Sequence, residues 1–222
     1  MAGNYMSDPI DFSLPLFFSD LAYALANVKA TDGDCSDIEL SFAFKRFCDE
    51  LVLSRERQAR VIFVGNGGSS AIASHMATDF SKIGIHALSF SDAPLLTAWA
   101  NDNGFDSVYS NLLKLQATHK DLLVAISSSG RSKNILNACE EVLNIGGKIL
   151  TLSGMDEDNP LREYGQVNFH VSDSRYSVIE VAHHAICHAA VEACLCRTSE
   201  GKFDVQRQAG QDRYNAIQVD RD

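Results

Sequence analysis

The chain has 222 residues, of which 45% are hydrophobic and 22% charged, a balance typical of a globular protein with one sizeable core. Its formal net charge of −10 argues against a broad electrostatic surface for nucleic acid or for an anionic membrane. The N-terminus shows no basic segment followed by an apolar stretch, and no apolar run approaches ~18 residues. We therefore expect a cytoplasmic protein that binds neither nucleic acid nor membrane, and that holds any anion by local donors.

The first part of the chain shows helical periodicity. Over residues 11–58, apolar side chains recur at spacings of three and four, interrupted by a turn-rich segment at 31–37. This spacing predicts two amphipathic helices before the first strand. We expect them to form an N-terminal helical arm over residues 1–60 that packs on the sheet or on another subunit.

From residue 61 onward, short apolar runs alternate with longer segments of helical periodicity. The predicted strands are 61–64, 86–90, 122–126, 148–152 and 167–171. The predicted helices are 69–83, 93–117, 132–145 and 176–197. Such alternation is typical of β-α-β crossovers, so the sequence predicts an α/β domain over 61–198, with a five-stranded parallel sheet flanked by helices. Residues 199–222 are polar and weakly periodic, and we expect a C-terminal tail there.

A glycine-rich segment follows the first of these strands. Residues 65–70, GNGGSS, are called the glycine loop below. Its glycines allow the backbone to approach a ligand closely, and Asn66 and Ser69 add side-chain donors. The glycine spacing is not that of a dinucleotide fingerprint, and no lysine follows as in a P-loop. The alternative is an ordinary tight turn between a strand and a helix.

A cluster of hydroxyl groups follows the strand 122–126. Residues 127–132, called the serine loop below, place Ser127, Ser128, Ser129 and Ser132 around one glycine where a helix begins. An ordinary N-cap requires one serine rather than four. In parallel sheets, ligands collect beyond the carboxyl ends of the strands, where the next helix presents free N–H groups. The two loops together predict a binding site for a phosphorylated sugar.

Two predicted helices carry rows of histidines and carboxylates. On helix 69–83, His75 and Asp79 are four residues apart and share one side of the helix. On helix 176–197, Glu180, His184 and His188 form a second row at the same spacing. Histidines on a helix surface are often solvated or satisfied by neighbouring groups. The pattern alone therefore leaves both a structural and a functional interpretation open.

The combination of strand–GNGGS–helix with strand–SxSGxS–helix resembles the sugar isomerase (SIS) domain, and in particular the phosphoheptose isomerases, over about residues 10–197. These enzymes interconvert sedoheptulose 7-phosphate and an aldoheptose 7-phosphate. The resemblance implies an SIS fold, this aldose–ketose isomerisation, and a homotetramer with sites near the subunit interfaces.

The resemblance also implies one divalent metal per site, with zinc as the expected ion, held by His75, Asp79, Glu180 and His188. Asp79 stands where the family has Glu, and Glu180 stands where it has Gln, but both side chains can bind zinc. Because Glu180 and His188 are ~12 Å apart along a straight helix, His184 between them is an alternative to His188 as ligand, although the resemblance favours His188. In the implied reaction Asp79 acts as the base and His188 as the acid, while zinc polarises the carbonyl.

The substrate contacts implied by the resemblance come from several segments. The phosphate is expected in the serine loop, at Ser127, Ser128, Ser129 and Ser132. The sugar is expected to contact Asn66, Gly67, Gly68, Ser69, Asp79, Asn101, Asp102 and Glu180. Asn101 and Asp102 belong to the segment ANDNGF, residues 100–105, which resembles a family motif. Ser177 stands where the family has an Asp that contacts substrate, so the exact sugar stays open.

Two other functions are compatible with these motifs. One is a non-catalytic SIS protein that binds a sugar phosphate or a protein partner such as a replication initiator. The other is an SIS isomerase that acts on a different sugar phosphate. Loss of the histidines and carboxylates would favour the non-catalytic protein, and here they are present.

Overall fold

A six-stranded sheet forms the centre of the chain in the computed structural model, which describes residues 13–198. The strands are β1 (Lys29–Asp32), β2 (Val61–Gly65), β3 (Ala87–Ser89), β4 (Leu122–Ser127), β5 (Lys148–Gly154) and β6 (Val167–Val171). The helices are α1 (Leu14–Ala26), α2 (Leu40–Glu56), α3 (Gly68–Lys82), α4 (Ala93–Asn103), α5 (Val108–Gln116), α6 (Lys133–Asn144) and α7 (Tyr176–Thr198). The predicted tail at 199–222 and the first residues of the predicted arm lie outside the described residues.

The strand order across the sheet is β1-β6-β5-β4-β2-β3. Strands β2 to β6 are parallel, while β1 pairs antiparallel with β6. From β2 the chain moves outward to β3, then crosses back to β4 on the other side of β2. The strand order therefore reverses between β2 and β4, which is where doubly wound sheets bind ligands. The carboxyl ends of these two strands lie side by side, with Gly65 opposite Ile126.

Helices cover both faces of the sheet. Alternate residues of β2 point to opposite faces, and all five are buried. Val61 and Phe63 pack with residues of α2, α3 and α7, whereas Ile62 and Val64 pack with residues of α5 and α6. Helix α1 lies outside this arrangement and packs its Ala24 against the start of α7. Burial on both faces explains why the parallel strands appear in the sequence as continuous apolar runs.

The predicted α/β class and the parallel sheet flanked by helices are confirmed, but the sheet has six strands rather than five. The additional strand β1 lies within the segment predicted as helical. Its sequence KATD has no strong strand propensity, and Ala30 and Thr31 are its only buried residues. It is held by pairing with β6 and by the buried Asn168, whose side-chain amide donates to the Asp32 carbonyl at 3.0 Å. Tertiary pairing therefore determines its conformation, as is common at sheet edges.

The single helix predicted over 93–117 is two helices. Helix α4 ends at Gly104, which has a φ of 82°, and a short 3-10 turn over Phe105–Ser107 leads into α5. A left-handed residue cannot continue an α-helix, and glycine adopts this conformation without steric cost. Apolar residues recur at helical spacing on both sides of the polar stretch 101–104, which is why the prediction joined the two helices.

Helix α7 is long and apolar enough to cross a membrane by length and composition alone. It packs instead on the central core through Cys187, Ala190 and Cys194, and on α1 through Val178 and Ala182. Core helices of soluble proteins pass the same length test. Its apolar character is therefore explained by its contacts with the sheet and the neighbouring helices.

The buried histidines predict how stability depends on pH. His170 on β6 is fully buried, and burial, followed by the charge of Arg162, lowers its pKa from 6.5 to about 4. Burial likewise lowers the pKa of His183 to about 4. Below pH 6.5 these two histidines become protonated in the unfolded chain, whereas in the folded protein they stay neutral down to about pH 4. The free energy of unfolding should therefore fall as pH decreases from 6.5 to 4, with about one proton taken up per histidine.

The His170→Asn variant should show a shallower decrease over this pH range, as measured by urea unfolding at several pH values. The stability difference between variant and parent should be constant above pH 7. A variant that retains the full slope between pH 6.5 and 4 would contradict this role of His170.

Candidate active site

A polar cleft of about 220 Å³ opens where β2 and β4 end side by side. It is lined by the glycine loop, the serine loop and the start of α7. The lining residues are Asn66, Gly67, Gly68, Ser69, Ser127, Ser128, Ser129, Ser132, Tyr176 and Glu180. The structure thus brings most of the predicted substrate-binding residues together; Asp79, Asn101 and Asp102 are not among those that line the cleft.

Close backbone packing forms the glycine loop. A side chain at Gly65 would place its Cβ 2.6 Å from the Ser69 carbonyl oxygen, so the strand end and the helix start are in direct contact. Gly67 has a φ of 54° and precedes α3 as its N-cap residue, with no side chain capping the helix. The first turn of α3 therefore lacks a side-chain partner and faces the cleft. Asn66 and Asn134 exchange two amide hydrogen bonds of 2.8 and 2.9 Å, which fix this loop to α6.

The hydroxyl groups of the serine loop make few hydrogen bonds to the rest of the protein. Ser127 and Ser132 share one long hydrogen bond of 3.3 Å, and the Ser129 hydroxyl accepts from the Arg131 N–H at 3.3 Å. Ser132 is the N-cap residue of α6, yet its side chain makes no capping hydrogen bond. The Ser128 hydroxyl is buried and has no hydrogen-bond partner among the described residues. Since an unpaired buried hydroxyl is costly, this loop has the donors that an anionic ligand requires.

Glu180 places a carboxylate in the same cleft. A Cβ built at Gly68 would lie 2.3 Å from one carboxylate oxygen of Glu180, so this side chain covers the start of α3. Within residues 13–198, Glu180 has no hydrogen bond or ion pair. The absence of a side chain at Gly68 is what gives the carboxylate its position.

Three histidines meet beside the cleft, between α3 and α7. One nitrogen from each of His75, His184 and His188 lies within 4.8 Å of the others, and this set is called the histidine cluster below. His184 Nε2 is 3.0 Å from His75 Nδ1. Asp79 lies on the other side of His75, with Oδ2 3.3 Å from His75 Nε2 and 3.9 Å from His188 Nδ1.

The surroundings of Asp79 and His184 favour the protonation states that can bind a metal. The hydrogen bond from Lys82 lowers the pKa of Asp79, and the neighbouring His75 and His188 act in the same direction. Burial, together with His188 and His75, lowers the pKa of His184. An ionised carboxylate and a neutral imidazole are the forms that bind metals.

The histidine cluster fits a zinc ion. Nitrogen ligands of a tetrahedral zinc lie about 3.3 Å apart, since each Zn–N bond is about 2.0 Å. The 3.0 Å separation of His75 Nδ1 and His184 Nε2 is compatible with that geometry, and Asp79 lies at the other ring nitrogen of His75. Of the ligands predicted from the resemblance, the structure brings His75, Asp79 and His188 together. Glu180 lies in the cleft, and it is His184 that contacts His75.

Other predicted residues lie apart from the cleft. Asn101 and Asp102 are exposed at the end of α4, where Asn101 Nδ2 donates to Asp102 Oδ1 at 3.0 Å. Ser177 is exposed at the start of α7. Tyr176 lines the cleft but was not predicted, since a single tyrosine at a helix start gives no signal in the sequence.

The strand order, the two loops and the cleft between them define an α/β domain with a polar site at the strand ends, and known proteins share this fold. The sequence model of the family described as SIS domain matches residues 39–154. A phosphoheptose isomerase of Helicobacter pylori (strain Shi470) is 38% identical over 113 residues, which are 48% of this chain and 59% of that enzyme. A phosphoheptose isomerase of Campylobacter concisus (strain 13826) is 34% identical over 66% of this chain and 82% of its own length.

A solved phosphoheptose isomerase from Neisseria gonorrhoeae has a TM-score of 0.71 and 24% identity, and the match covers 82% of this chain and 96% of that chain. At this identity the likeness shows the fold alone. The chain belongs to the SIS-domain family and, within it, to the phosphoheptose isomerase family. It spans about three fifths of the length of the Helicobacter pylori relative that it matches.

The two glycines of the loop predict a pair of contrasting variants. In Gly68→Ala, the new methyl group meets only the flexible end of Glu180, so the carboxylate should move into the cleft while the fold is kept. We expect at least tenfold weaker binding of sedoheptulose 7-phosphate, measured by calorimetry, with little change in thermal stability.

In Gly65→Ala, the methyl group meets the backbone of Ser69, which cannot move independently. Overpacking of this kind costs about 1–3 kcal/mol, so this variant should lower the thermal midpoint. If Gly68→Ala unfolds as readily as Gly65→Ala, or binds the sugar phosphate as the parent does, the described position of Glu180 is wrong.

Proposed function

We propose that the protein is an aldose–ketose isomerase that converts sedoheptulose 7-phosphate into an aldoheptose 7-phosphate. The observation that carries this proposal is one cleft that combines a hydroxyl-rich loop for a phosphate with a carboxylate and an adjoining histidine cluster. The family supports it, because the matched relatives are named phosphoheptose isomerases.

The reaction moves hydrogen between C1 and C2 through an enediol. It requires a base at carbon, a group that exchanges protons with the two oxygens, and stabilisation of the developing negative charge. The serine loop would accept the phosphate, and Asn66 and Ser69 would orient the sugar hydroxyls. Asp79 and Glu180 are the carboxylates available as the base, and His188 is the proposed acid.

The cofactor that we propose is one zinc ion per site. His75, Asp79 and His188 would hold it, with either Glu180 or His184 as the remaining ligand. When bound, zinc would supply Lewis-acid polarisation of the substrate carbonyl. The arrangement of three nitrogen donors and one carboxylate supports this choice, because zinc prefers nitrogen and carboxylate ligands in four-coordinate sites.

A non-catalytic protein that only binds a sugar phosphate would require the two loops alone. Binding alone does not require the Glu180 carboxylate or the histidine cluster, so their presence favours an isomerase. A cytoplasmic location is part of the proposal, since a charged sugar phosphate does not cross membranes unaided.

The direct test is incubation of the protein with sedoheptulose 7-phosphate, with added zinc and with a chelator. We expect an aldose 7-phosphate to accumulate to equilibrium in the presence of zinc. Its formation is measured by NMR of the anomeric protons. If no aldose forms in either condition, the proposed function is wrong. If the rate is the same with the chelator, the proposed zinc is wrong.

Phosphate binding should depend on the serine loop. Replacing Ser127 and Ser129 together by Ala removes two hydroxyls that can bond to the charged group, each worth about 1.5–3 kcal/mol. We expect calorimetry to show affinity for sedoheptulose 7-phosphate reduced by roughly 10²-fold or more. Ser74→Ala, at an exposed position on α3, is the matched control and should bind as the parent does. Unchanged affinity of the double variant would remove the serine loop from the site.

We also propose a homotetramer with sites near the subunit interfaces. The outer surface of α1 and α2 exposes the apolar side chains Leu14, Leu16, Phe18, Tyr23, Leu40 and Phe42. An apolar groove of about 380 Å³ lies between α1, α2 and α7. Asn101 and Asp102 are exposed and are not among the residues lining the cleft, which is consistent with a contact to sugar in a neighbouring chain.

Sedimentation at micromolar concentration should show a species four times the 24.3 kDa mass of one chain. The double variant Leu16→Glu/Phe42→Glu should dissociate, because a charge would enter the apolar interface. Leu115→Glu, at an exposed position of α5, should remain assembled and serves as the control. A monomer of the unaltered protein would contradict the proposed assembly.

A further inference from the structure

The two carboxylates near the proposed reaction centre have different surroundings. Both oxygens of Asp79 face other side chains: Oδ1 accepts from Lys82 Nζ at 3.0 Å, and Oδ2 lies 3.3 Å from His75 Nε2. Asp79 is not among the residues that line the cleft. It is directed at the histidine cluster and held there by Lys82, so it is poorly placed to reach a carbon atom of a sugar.

Glu180 has the opposite surroundings. It lines the cleft together with both loops, and its carboxylate lies over Gly68. No described residue donates a hydrogen bond to it or forms an ion pair with it. The carboxylate is therefore open to a ligand in the cleft, on the same side as the hydroxyls that would hold the phosphate.

The histidine cluster does not require Glu180 as a ligand. His184 lies 3.0 Å from His75, and its ligand atom is within 4.8 Å of those of both other histidines. Three imidazole nitrogens therefore converge without Glu180, and Asp79 lies beside them at the other ring nitrogen of His75. Glu180 precedes His184 by one helical turn, about 6 Å along α7, which places it next to these donors without being one of them.

We propose that Glu180, rather than Asp79, is the base that moves the proton between C1 and C2, and that His184 takes the ligand position implied for residue 180. This inference rests on the proposed isomerase function. It assigns the two carboxylates to separate tasks: Asp79 holds the metal with the three histidines, and Glu180 acts on the substrate carbon.

The proton transfers balance among the substrate, this side chain and His188, the proposed acid. The Glu180 carboxylate takes a proton from C1 of the ketose, and the electron pair of that C–H bond forms the C1–C2 double bond while O2 takes up a proton from His188. The O1 hydroxyl then returns a proton to His188, the C1 carbonyl forms, and Glu180 returns its proton to C2. The step needs no oxidant, reductant or further reactant.

Three variants test the assignment: Glu180→Gln, Asp79→Asn and His184→Ala, with Glu192→Gln at an exposed position of α7 as the control. Each is examined for zinc affinity by chelator competition, for sedoheptulose 7-phosphate binding by calorimetry, and for kcat at full zinc occupancy. Exchange of the C1 hydrogens with solvent deuterium, followed by NMR, reports the proton transfer at carbon separately from product formation.

Glu180→Gln should keep zinc and sugar phosphate affinity within about threefold, yet lose at least 10³-fold in kcat and in deuterium exchange, because its amide cannot accept the proton. Asp79→Asn and His184→Ala should weaken zinc affinity by about 10²-fold or more, with activity lost in parallel with the metal. Glu192→Gln should match the parent in every measurement.

Two results would overturn the assignment. Loss of zinc by Glu180→Gln with retention by His184→Ala would return residue 180 to the ligand set. Retained exchange in Glu180→Gln, with exchange abolished in zinc-loaded Asp79→Asn, would make Asp79 the base. If the unaltered protein produces no aldose, the proposed function and the role of Glu180 as base are both wrong. The zinc affinities would still decide whether His184 is a zinc ligand.

Discussion

The parallel pairing of β2 with β4 is the constraint on which the site depends. Because the order of strands reverses between them, both strands send their loops to the same edge of the sheet and their following helices to opposite faces. The close contact between Gly65 and Ser69 places the start of α3 directly against the end of β2. The paired amides of Asn66 and Asn134 then join the glycine loop to the start of α6, which follows the serine loop. The cleft is thus a consequence of strand register and of two local contacts.

An acidic protein must hold the proposed phosphate with local groups, and the cleft offers such groups. None of its lining residues is a lysine or an arginine, and one of them is a carboxylate. Hydroxyl groups and the start of α3 provide donors without adding a positive charge. Among the described residues, no cation pairs with Glu180, so its carboxylate is open to a ligand in the cleft.

The sequence predicted the fold well where burial determines it. Strand β6 coincides with the predicted strand 167–171, and the cores of the other parallel strands were also found, because strands buried on both faces appear as apolar runs. Strand β1 was missed, since its conformation depends on pairing with β6, which is 136 residues later for Asp32 and Asn168. The break at Gly104 was missed because apolar residues recur at helical spacing on both sides of it.

The loops of the site were predicted from composition, since clustered hydroxyls and glycines at strand ends have few other uses. Which histidines meet was harder to predict, because a helical row does not reveal which of its members faces a partner helix. The helical spacing made His184 an alternative ligand. Its contact with His75 shows that it faces the partner helix α3. The place of Glu180 depends on the space above Gly68, a feature of three-dimensional packing that no spacing rule encodes.

The central claim is that one cleft holds the phosphate in the serine loop and the reacting carbons beside Glu180 and the histidine cluster. The most direct measurement is X-ray diffraction from crystals grown with sedoheptulose 7-phosphate and zinc, with data collected at the zinc absorption edge. The account predicts phosphate density among Ser127, Ser129 and Ser132, and an anomalous peak between His75, His184 and His188. Phosphate density outside the serine loop, or a zinc peak away from these histidines, would contradict it.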